Sequence, residues 1–375
     1  MARELRSSSR LRCPGAPSCK QAGFIFVSLF ISLLLAARGT FAGRLAFHQP
    51  GYLAACLLSR DGNHDVREWV EYHLFAGVDK IFLFDHNSSV PMIAEVSDYV
   101  AAGKVQYTYL TSTLPRIAGP EDFPNGFQGR VFGECLEQAR GYYKWMMFTD
   151  MDEVTYVLDP KYGYSIAAVL RDYEHAGAVL IHRRDVGSSG VQERTPGMGQ
   201  LATFTKCVNS NSKMVKGIAQ VDYVSVSYNA HCFEYKEEGH LGLRLGDNRT
   251  VTRTADISDP PADPPLLIYH YAGSVAEYTE RVNSLSSGVS GLTTKSISMY
   301  QGLDNTAIRD CLAGRRAHAA MLAANAIHPV QPFCTAEGLR RRLARKGRTQ
   351  KQLAAAAAAG GGATAGGGRR RLRQV

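Results

Sequence analysis

Short apolar runs alternate with helical patterns through the first half of the chain, and this alternation constrains the fold more than any other feature. Five runs have the length and composition of buried strands: 53–60, 80–84, 104–110, 144–149 and 178–183. The residues between them carry the spacing of amphipathic helices. Strands that alternate with helices of this length lie parallel in one sheet, which the helices cover on both faces. We therefore predict an α/β fold with a mostly parallel sheet flanked by helices.

Capping residues mark where several of the helices begin. Asp65 with Glu68 three residues later predicts a capping box for the first helix, and Ser274 with Glu277 predicts another. Ser165 is a third predicted N-cap. After the first helix, helices are predicted at 91–102, 130–140, 166–176, 274–285 and 304–325, of which the third and fourth are those capped by Ser165 and Ser274. One predicted helix thus separates each pair of successive strands up to residue 183.

Three carboxylates follow the fourth apolar run directly, in the sequence Thr149-Asp-Met-Asp-Glu. Side chains two residues apart on an extended strand point to opposite faces, so Asp150 and Asp152 converge only if the chain turns at Met151. Such a turn would let Asp152 bind a divalent cation while Asp150 contacts a ligand. Glu153 could join them or be a solvated charge at the end of the strand. The turn is therefore a candidate metal site.

Polar residues also follow the first two strands. Arg60 and Asp85 come at the carboxyl ends of these strands, where open parallel sheets bind their ligands. We predict that both lie on the same edge as the acidic turn and contact a bound ligand. The alternative for Asp85 is a capping role within its own turn. Arg60 and Lys213 could face phosphate, or be ordinary surface charges.

From about residue 184 the chain is richer in Gly, Ser and Thr, as in DVGSSGVQERTPGMGQ (185–200), and this stretch is predicted to form a flexible loop that contacts substrate. Strand-like segments follow at 213–219, 221–227 and 266–271. His231 comes after the second of these and is a candidate metal ligand, with a hydrogen-bonded core residue as the alternative. His270 lies within the last, between two tyrosines, and is predicted to be a core residue.

A basic segment, residues 1–21, precedes an apolar run at 22–37. Positive charge ahead of such a run predicts a cytosolic N-terminus, a single-pass type II signal-anchor and a lumenal body. Cleavage after Ala42 is the alternative, and it would release a secreted protein. The predicted catalytic domain spans residues 43–335.

The formal net charge of +9 comes from the two ends of the chain. Residues 338–375 carry eleven Lys and Arg without an acid, and residues 1–42 carry six against one Glu, so residues 43–337 have a net charge of −7. An acidic body argues against nucleic acid as the partner. The segment 338–375 is basic and rich in Ala and Gly, and we predict that it is disordered.

Six of the eight cysteines follow the apolar run: Cys56, Cys135, Cys207, Cys232, Cys311 and Cys334. An even number permits disulfides in an oxidising compartment, but six cysteines allow fifteen pairings, and the sequence does not choose among them. Asn87 and Asn248 begin N-glycosylation sequons. Asn248 lies in a polar stretch and is the stronger candidate for a glycan.

The chain resembles glycosyltransferase family 92, a group with the GT-A fold that includes galactosyltransferases, and more loosely the family 2 enzymes. Five blocks carry this resemblance in order: EWVEYHLFAGVDKIFLFDHNSS (68–89), CL with KWMMFTDMDEV (135–154), VGSSG (186–190), KMVKGIAQVDYVSVSYNAH (213–231) and IYHYAGSVAEY (268–278). Together they cover most of residues 53–287. The resemblance implies a GT-A-type sheet in a single catalytic domain.

The resemblance also implies a reaction. A sugar, with galactose favoured, would pass from a nucleotide diphosphate donor, with a UDP-sugar favoured, to a glycan acceptor, with inversion, in the Golgi lumen. Mn²⁺ or Mg²⁺ would neutralise the departing diphosphate. Asp152 and His231 would hold the cation, Asp150 would contact the donor, and Arg60, Asp85 and Lys213 would bind its nucleoside and phosphates.

An inverting transfer needs a carboxylate base near the acceptor hydroxyl. Glu234 is the first candidate, with Glu237 and Asp185 behind it. Two other functions fit part of the sequence: a lumenal protein that binds a nucleotide sugar or glycan without turnover, and a phosphatase of the haloacid dehalogenase type. The phosphatase motif opens its fold, whereas here the acidic turn follows several βα units.

Overall fold

The computed structural model describes residues 51–111, 127–236, 240–251, 257–286 and 296–327. The predicted N-terminal segments and the predicted tail lie outside these ranges. Among the residues described, no helix combines the length and the apolar character needed to cross a membrane.

Four parallel strands form one half of the main sheet. They are β1 (Gly51–Ser59), β2 (Lys80–His86), β3 (Val105–Leu110) and β4 (Tyr143–Thr149), in the spatial order β3-β2-β1-β4. The connections between them contain α1 (Val66–Phe75), α2 (Ile93–Ala101) and α3 (Phe127–Ala139). In this half of the sheet the predicted alternation of parallel strands and helices is confirmed.

The other half of the main sheet is mixed. Its strands are β6 (Ala178–Val186), β8 (Val215–Gln220), β11 (Gly242–Arg244) and β12 (Thr250–Val251). β8 lies between β4 and β6 and is antiparallel to both, whereas β11 is parallel to β6 and antiparallel to β12. β6 therefore runs in the same direction as β4, as predicted for a mostly parallel sheet, and the antiparallel β8 lies between them because it enters the sheet without a helical crossover.

A second group of strands branches from β6. Its members are β5 (Glu153–Val157), β7 (Lys206–Cys207), β13 (Leu266–Tyr271) and β14 (Arg309–Asp310). β13 lies between β5, to which it is antiparallel, and β6, to which it is parallel. A separate hairpin pairs β9 (Val224–Asn229) with β10 (Cys232–Tyr235). β5 begins immediately after the acidic turn and was not predicted from the sequence.

The hydrophobic core lies on both faces of the parallel strands. Leu57 of β1 packs in one cluster with Trp69 of α1, and its neighbour Leu58 packs in another with Phe132 of α3. All four side chains are at most 1% exposed. Successive residues of a strand point to opposite faces, so this burial shows that helices cover both sides of the sheet.

The later helices differ from the prediction in two places. They are α4 (Ile166–Arg171), α5 (Gln200–Thr203), α6 (Val275–Ser286), α7 (Ile297–Thr306) and α8 (Ala313–Ala323). The helix predicted at 166–176 ends at Arg171, and the one predicted at 304–325 is two helices. Between α7 and α8 the chain is extended, because β14 pairs with β7 and Cys311 forms a disulfide with Cys207.

The predicted caps are confirmed at two helices of three. Ser274 and Glu277 exchange hydrogen bonds of 2.7 and 3.3 Å between side chain and backbone, as a capping box requires. Ser165 accepts from the Ala168 amide at 3.1 Å. The box at Asp65 is wrong, because the carboxylate of Asp65 makes no cap and instead pairs with Arg194 at 2.6 Å.

Disulfides join Cys56 to Cys135 and Cys207 to Cys311, and Cys232 is also disulfide-bonded. The first bond ties β1 to α3, and the second ties β7 to the segment ahead of α8. Disulfides of this kind are typical of proteins that fold in an oxidising compartment. Asn248 lies exposed in a turn between β11 and β12, where its φ is +58°.

Candidate active site

The acidic turn joins the two groups of strands. β4 ends at Thr149, β5 begins at Glu153, and the Glu153 amide donates to the Asp150 carbonyl at 3.1 Å. Met151, at the centre of the turn, is 9% exposed and packs into the core. The chain therefore turns at Met151 as predicted, but the two aspartates have different neighbours.

On one side of the turn, Asp150 contacts a buried lysine. Lys216 of β8 is 4% exposed, and its Nζ lies 2.5 Å from Asp150 Oδ2. Lys216 also forms an ion pair with Glu153, which is 2% exposed. Burial alone would lower the pKa of Lys216, but Asp150 and Glu153 together raise it. Burial raises the pKa of the Glu153 carboxyl, and Lys216 opposes that effect. One ammonium thus fixes two carboxylates.

His231 lies on this same side. Its Nδ1 is 2.5 Å from the Val215 carbonyl, and its backbone amide donates to Asn229 Oδ1 at 2.7 Å. Burial and then the charge of Lys216 lower the pKa of His231 to about 4, while Asp150 acts in the opposite direction. The imidazole is therefore neutral near pH 7. Its role as a metal ligand stays a prediction.

On the other side of the turn, Asp152 faces His270 and Arg281. Asp152 Oδ2 lies 3.7 Å from His270 Nε2 and 3.4 Å from the Nη1 of Arg281 on α6. The second ring nitrogen of His270, Nδ1, lies 2.8 Å from Asp185 Oδ1. Asp152 raises the pKa of Arg281 against the opposing effect of burial. His270 is thus held between two carboxylates.

The register of β13 explains this arrangement. His270 pairs with Glu153 of β5 on one side and with Asp185 of β6 on the other. The next residue, Tyr271, donates its amide to the Asp152 carbonyl at 2.8 Å. The backbone hydrogen bonds of β13 therefore place the His270 ring beside the turn, although 117 positions separate His270 from Glu153 in the sequence.

Asp152 and His270 together fit a divalent cation. They offer one carboxylate and one imidazole, which Mn²⁺ accepts, and a carboxylate on Nδ1 is the usual partner of a metal-binding histidine. Within the described ranges, no cluster of three or more His, Cys, Asp or Glu side chains could hold an ion unaided. The residues therefore fit a cation whose other ligands are phosphate oxygens and water, as Mg²⁺ sites in nucleotide enzymes often are.

The predicted donor-binding residues differ in their surroundings. Asp85 is fully buried, and its carboxylate accepts from the Ser88 and Met92 amides at 3.2 and 2.8 Å and from the Tyr107 hydroxyl at 2.6 Å. These contacts favour the turn-capping alternative. Arg60 is exposed and lies 3.3 Å from the neighbouring Asp61.

Lys213 and Glu234 are not brought into the contacts described above. Lys213 is exposed ahead of β8, three residues before the buried Lys216. Glu234 lies on β10 in the separate hairpin. The donor-binding and base roles of these two residues, and of Arg60 and Asp85, stay predictions.

The loop predicted from about residue 184 begins slightly later, because β6 extends to Val186. Its Ser188 amide donates to Asp304 of α7 at 2.6 Å. Arg194, 7% exposed, pairs with Asp65 ahead of α1 and with Glu277 of α6. The loop is therefore anchored at both ends, next to the helix that carries Arg281.

Sequence reasoning missed three of the residues that surround the turn. Lys216 carried a signal, since a lysine inside the apolar run 215–219 must find a buried partner. His270 carried the same signal, but its partners depend on the pairing of β13. Arg281 carried none, because it resembles any surface residue of an amphipathic helix.

The sequence model of glycosyltransferase family 92 matches residues 56–235. A family 92 protein of Arabidopsis thaliana is 24% identical over 202 residues, which are 51% of this chain and 33% of that protein. One of Ricinus communis is 22% identical over 161 residues, 42% of this chain and 26% of that protein. The chain thus spans about a quarter to a third of the length of these curated relatives.

Among solved structures, Staphylococcus aureus TarS in complex with UDP-GlcNAc matches 46% of this chain and 46% of its own, with 15% identity and a TM-score of 0.30. HddC from Yersinia pseudotuberculosis matches 62% of this chain and 99% of its own, with 9% identity and a TM-score of 0.32. The family match confirms the resemblance drawn from the sequence blocks. The matched residues include the acidic turn and Lys216, and they end before His270 and Arg281.

Proposed function

We propose that this protein is a glycosyltransferase that moves a sugar from a nucleotide diphosphate donor to a glycan acceptor, because residues 56–235 match the sequence model of glycosyltransferase family 92. The observation that supports this best is the pair formed by Asp152 and His270, 3.7 Å apart beside the turn after β4. A UDP-sugar is the proposed donor, with galactose as the sugar and inversion as the outcome, on the strength of the family resemblance.

Asp152 and His270 are the proposed ligands of Mn²⁺ or Mg²⁺. The bound cation supplies positive charge next to the diphosphate as the sugar leaves. His270 replaces His231 as the preferred imidazole ligand, because Asp185 orients its ring toward Asp152. His231 instead stays beside Lys216, whose charge disfavours a second cation close by.

The other residues of the turn have supporting parts in this proposal. Asp150, fixed by Lys216, presents its second carboxylate oxygen to the donor. Arg281 lies 3.4 Å from Asp152 and adds a guanidinium that can pair with phosphate oxygens. Glu234 remains the proposed base for the acceptor hydroxyl. Asp185 is less suited to that task, because its carboxylate already holds His270.

The proposed location is the lumen of the Golgi apparatus, behind a type II anchor at residues 22–37. The disulfides Cys56–Cys135 and Cys207–Cys311 support an oxidising compartment. A glycan on Asn248 would be the corresponding modification.

Donor turnover against Mn²⁺ concentration tests the proposal in the full-length protein. We expect Asp152→Asn to lower the rate on the order of a hundredfold or more, since a lost electrostatic contact at a leaving group is worth roughly 3–4 kcal/mol. His270→Ala should weaken the response to Mn²⁺ and recover part of its activity at higher metal concentration. His231→Ala is the matched control and should keep the metal response of the parent.

Circular dichroism of each variant separates a loss of chemistry from a loss of fold. Activity of the parent protein that is indifferent to a chelator would contradict the metal assignment. A panel of UDP- and GDP-sugars identifies the donor, and binding of a nucleotide sugar without any turnover would show instead a non-catalytic binding protein.

A further inference from the structure

A cavity lies on the face of β6 and β13 opposite His270 and Asp185. Its volume is about 310 Å³, and its lining includes three arginines: Arg184 of β6, Arg309 of β14 and Arg316 of α8. Tyr269, between the strand neighbours Ile268 and His270, also lines it. Because successive side chains of a strand point to opposite faces, the cavity is separate from the acidic turn.

Arg184 is buried and, among the described residues, forms no salt bridge with a carboxylate. It is 4% exposed, and its Nε donates to Asn211 Oδ1 at 2.9 Å. Asn211 is itself held by a 2.6 Å hydrogen bond from its Nδ2 to the Pro261 carbonyl, which fixes the amide oxygen toward Arg184. In the described part of the chain, no carboxylate lies within 4.0 Å of the Arg184 guanidinium. A buried guanidinium without a salt-bridge partner is costly, and Asp263, which raises the pKa of Arg184 from a greater distance, offsets only part of that cost.

The neighbouring charges make this cost larger. Arg309 and Arg316 line the same cavity, and burial followed by the charge of Arg309 lowers the pKa of Arg184. Two acids also line it, Asp263 and Asp310, but Asp310 pairs with Lys206 at 2.8 Å. Three arginines and two aspartates therefore line the cavity, and Lys206, outside the lining, pairs with one of the two aspartates.

We propose that this cavity binds an acidic sugar through its carboxylate, sulfate or phosphate group, with Arg184, Arg309 and Arg316 as the anion-binding residues. Guanidinium groups bind such oxyanions in bidentate fashion. The volume is at the lower end of the range for ligand pockets and exceeds the space that one small ion needs. It leaves room for a sugar ring beside Tyr269 and Leu312, which also line the cavity.

The site lies outside the reaction proposed above, so the two proposals fail independently. The first test is calorimetric titration of the full-length protein with glucuronate, glucose, galactose 6-sulfate, galactose and inorganic sulfate at one ionic strength. We expect saturable binding of the acidic sugars and none of the neutral ones. Inorganic sulfate should bind more weakly than galactose 6-sulfate, because it leaves the rest of the cavity empty. Equal binding of both would overturn the sugar assignment and leave an oxyanion site.

Variants then locate the binding. Arg309→Gln and Arg316→Gln should each weaken binding of the acidic sugar about tenfold or more, as expected for a hydrogen-bonded charge. Arg315→Gln is the matched control, since Arg315 is exposed on the same helix and does not line the cavity. Asp152→Asn should bind like the parent, which separates this site from the acidic turn.

Arg184→Gln tests the buried charge itself. It should abolish binding without lowering the melting temperature, because it removes a buried guanidinium that makes no salt bridge within the described residues. If Arg309→Gln and Arg316→Gln bind like Arg315→Gln, or if the parent protein binds no acidic sugar, the proposal is overturned. Because those two residues are exposed, this result does not depend on whether Arg184→Gln folds.

Discussion

The two aspartates of the turn are almost equally exposed, yet their surroundings differ. The Asp150 side chain is 32% exposed and is held at 2.5 Å by a lysine that is 4% exposed. The Asp152 side chain is 29% exposed and has looser neighbours, at 3.4 and 3.7 Å. Asp150 cannot move without breaking its ion pair with a buried ammonium, whereas Asp152 can exchange its neighbours for a ligand. The exposed fraction of the side chain does not distinguish the two aspartates, but the residues that they contact do.

The difference in partners gives the two sides of the turn different properties. Lys216 and Glu153 are buried and fix the backbone where β4 ends and β5 begins. His270 and Arg281 belong to later elements and approach the turn from the other side. One side therefore provides rigidity, and the other provides the proposed binding groups.

The largest expected effect is a loss of stability on the side of the turn that contains Lys216 and Glu153, the rigid side. Lys216→Met leaves Glu153 buried without its cation, and breaking a buried ion pair in this way costs about 3–5 kcal/mol. Urea unfolding followed by circular dichroism measures the loss. Arg281→Met is the control from the other side of the turn, where partial exposure keeps the expected cost under about 1 kcal/mol. Equal losses in the two variants would remove the distinction between the sides.

The rigid side should also make the free energy of unfolding depend on pH, through His231. The pKa of His231 is about 4 in the folded protein, below the value of about 6.5 in an unfolded chain. Between these two pH values the unfolded state therefore binds a proton at His231 and the folded state does not. The free energy of unfolding falls as pH falls from about 6.5 toward 4. The slope from this group is about 1.4 kcal/mol per pH unit, or about 3 kcal/mol in total.

His231→Gln should remove that contribution. Subtracting its unfolding free energies from those of the parent between pH 7 and pH 4 cancels groups that titrate alike in both proteins. A difference that does not change with pH would show that folding does not lower the pKa of His231. Glu153 acts in the opposite direction over part of this range, since burial raises its pKa.

The smallest of these effects should appear on the other side, in metal affinity. Asp185 orients His270 from 2.8 Å and does not itself reach Asp152 in the proposed site. Asp185→Asn should weaken the Mn²⁺ dependence of turnover by about 10- to 100-fold, as for other partners of metal-binding histidines. Its unfolding free energy should change little, in contrast to Lys216→Met. A metal dependence like that of the parent would indicate that His270 is not a ligand.

Local pattern was sufficient to predict the parallel half of the sheet. The strands β1 to β4 are continuous apolar runs, because both of their faces are buried, and their helices carry an apolar stripe and recognisable ends. The same pattern located the turn at Met151 and the caps at Ser165 and Ser274. Family resemblance then indicated a glycosyltransferase, on blocks that are themselves mostly these strands and turns.

The sequence alone determined which carboxylates end β4, since that depends on neighbouring residues. Only the tertiary structure decided which groups meet them. His270 and Asp185 come together because β13 inserts between β5 and β6 in one register, and a shift of one residue would turn His270 to the other face. Lys216 reaches Asp150 because β8 runs antiparallel to β4. Strand pairing between distant segments depends on the whole core, so neither partnership could be predicted from local sequence.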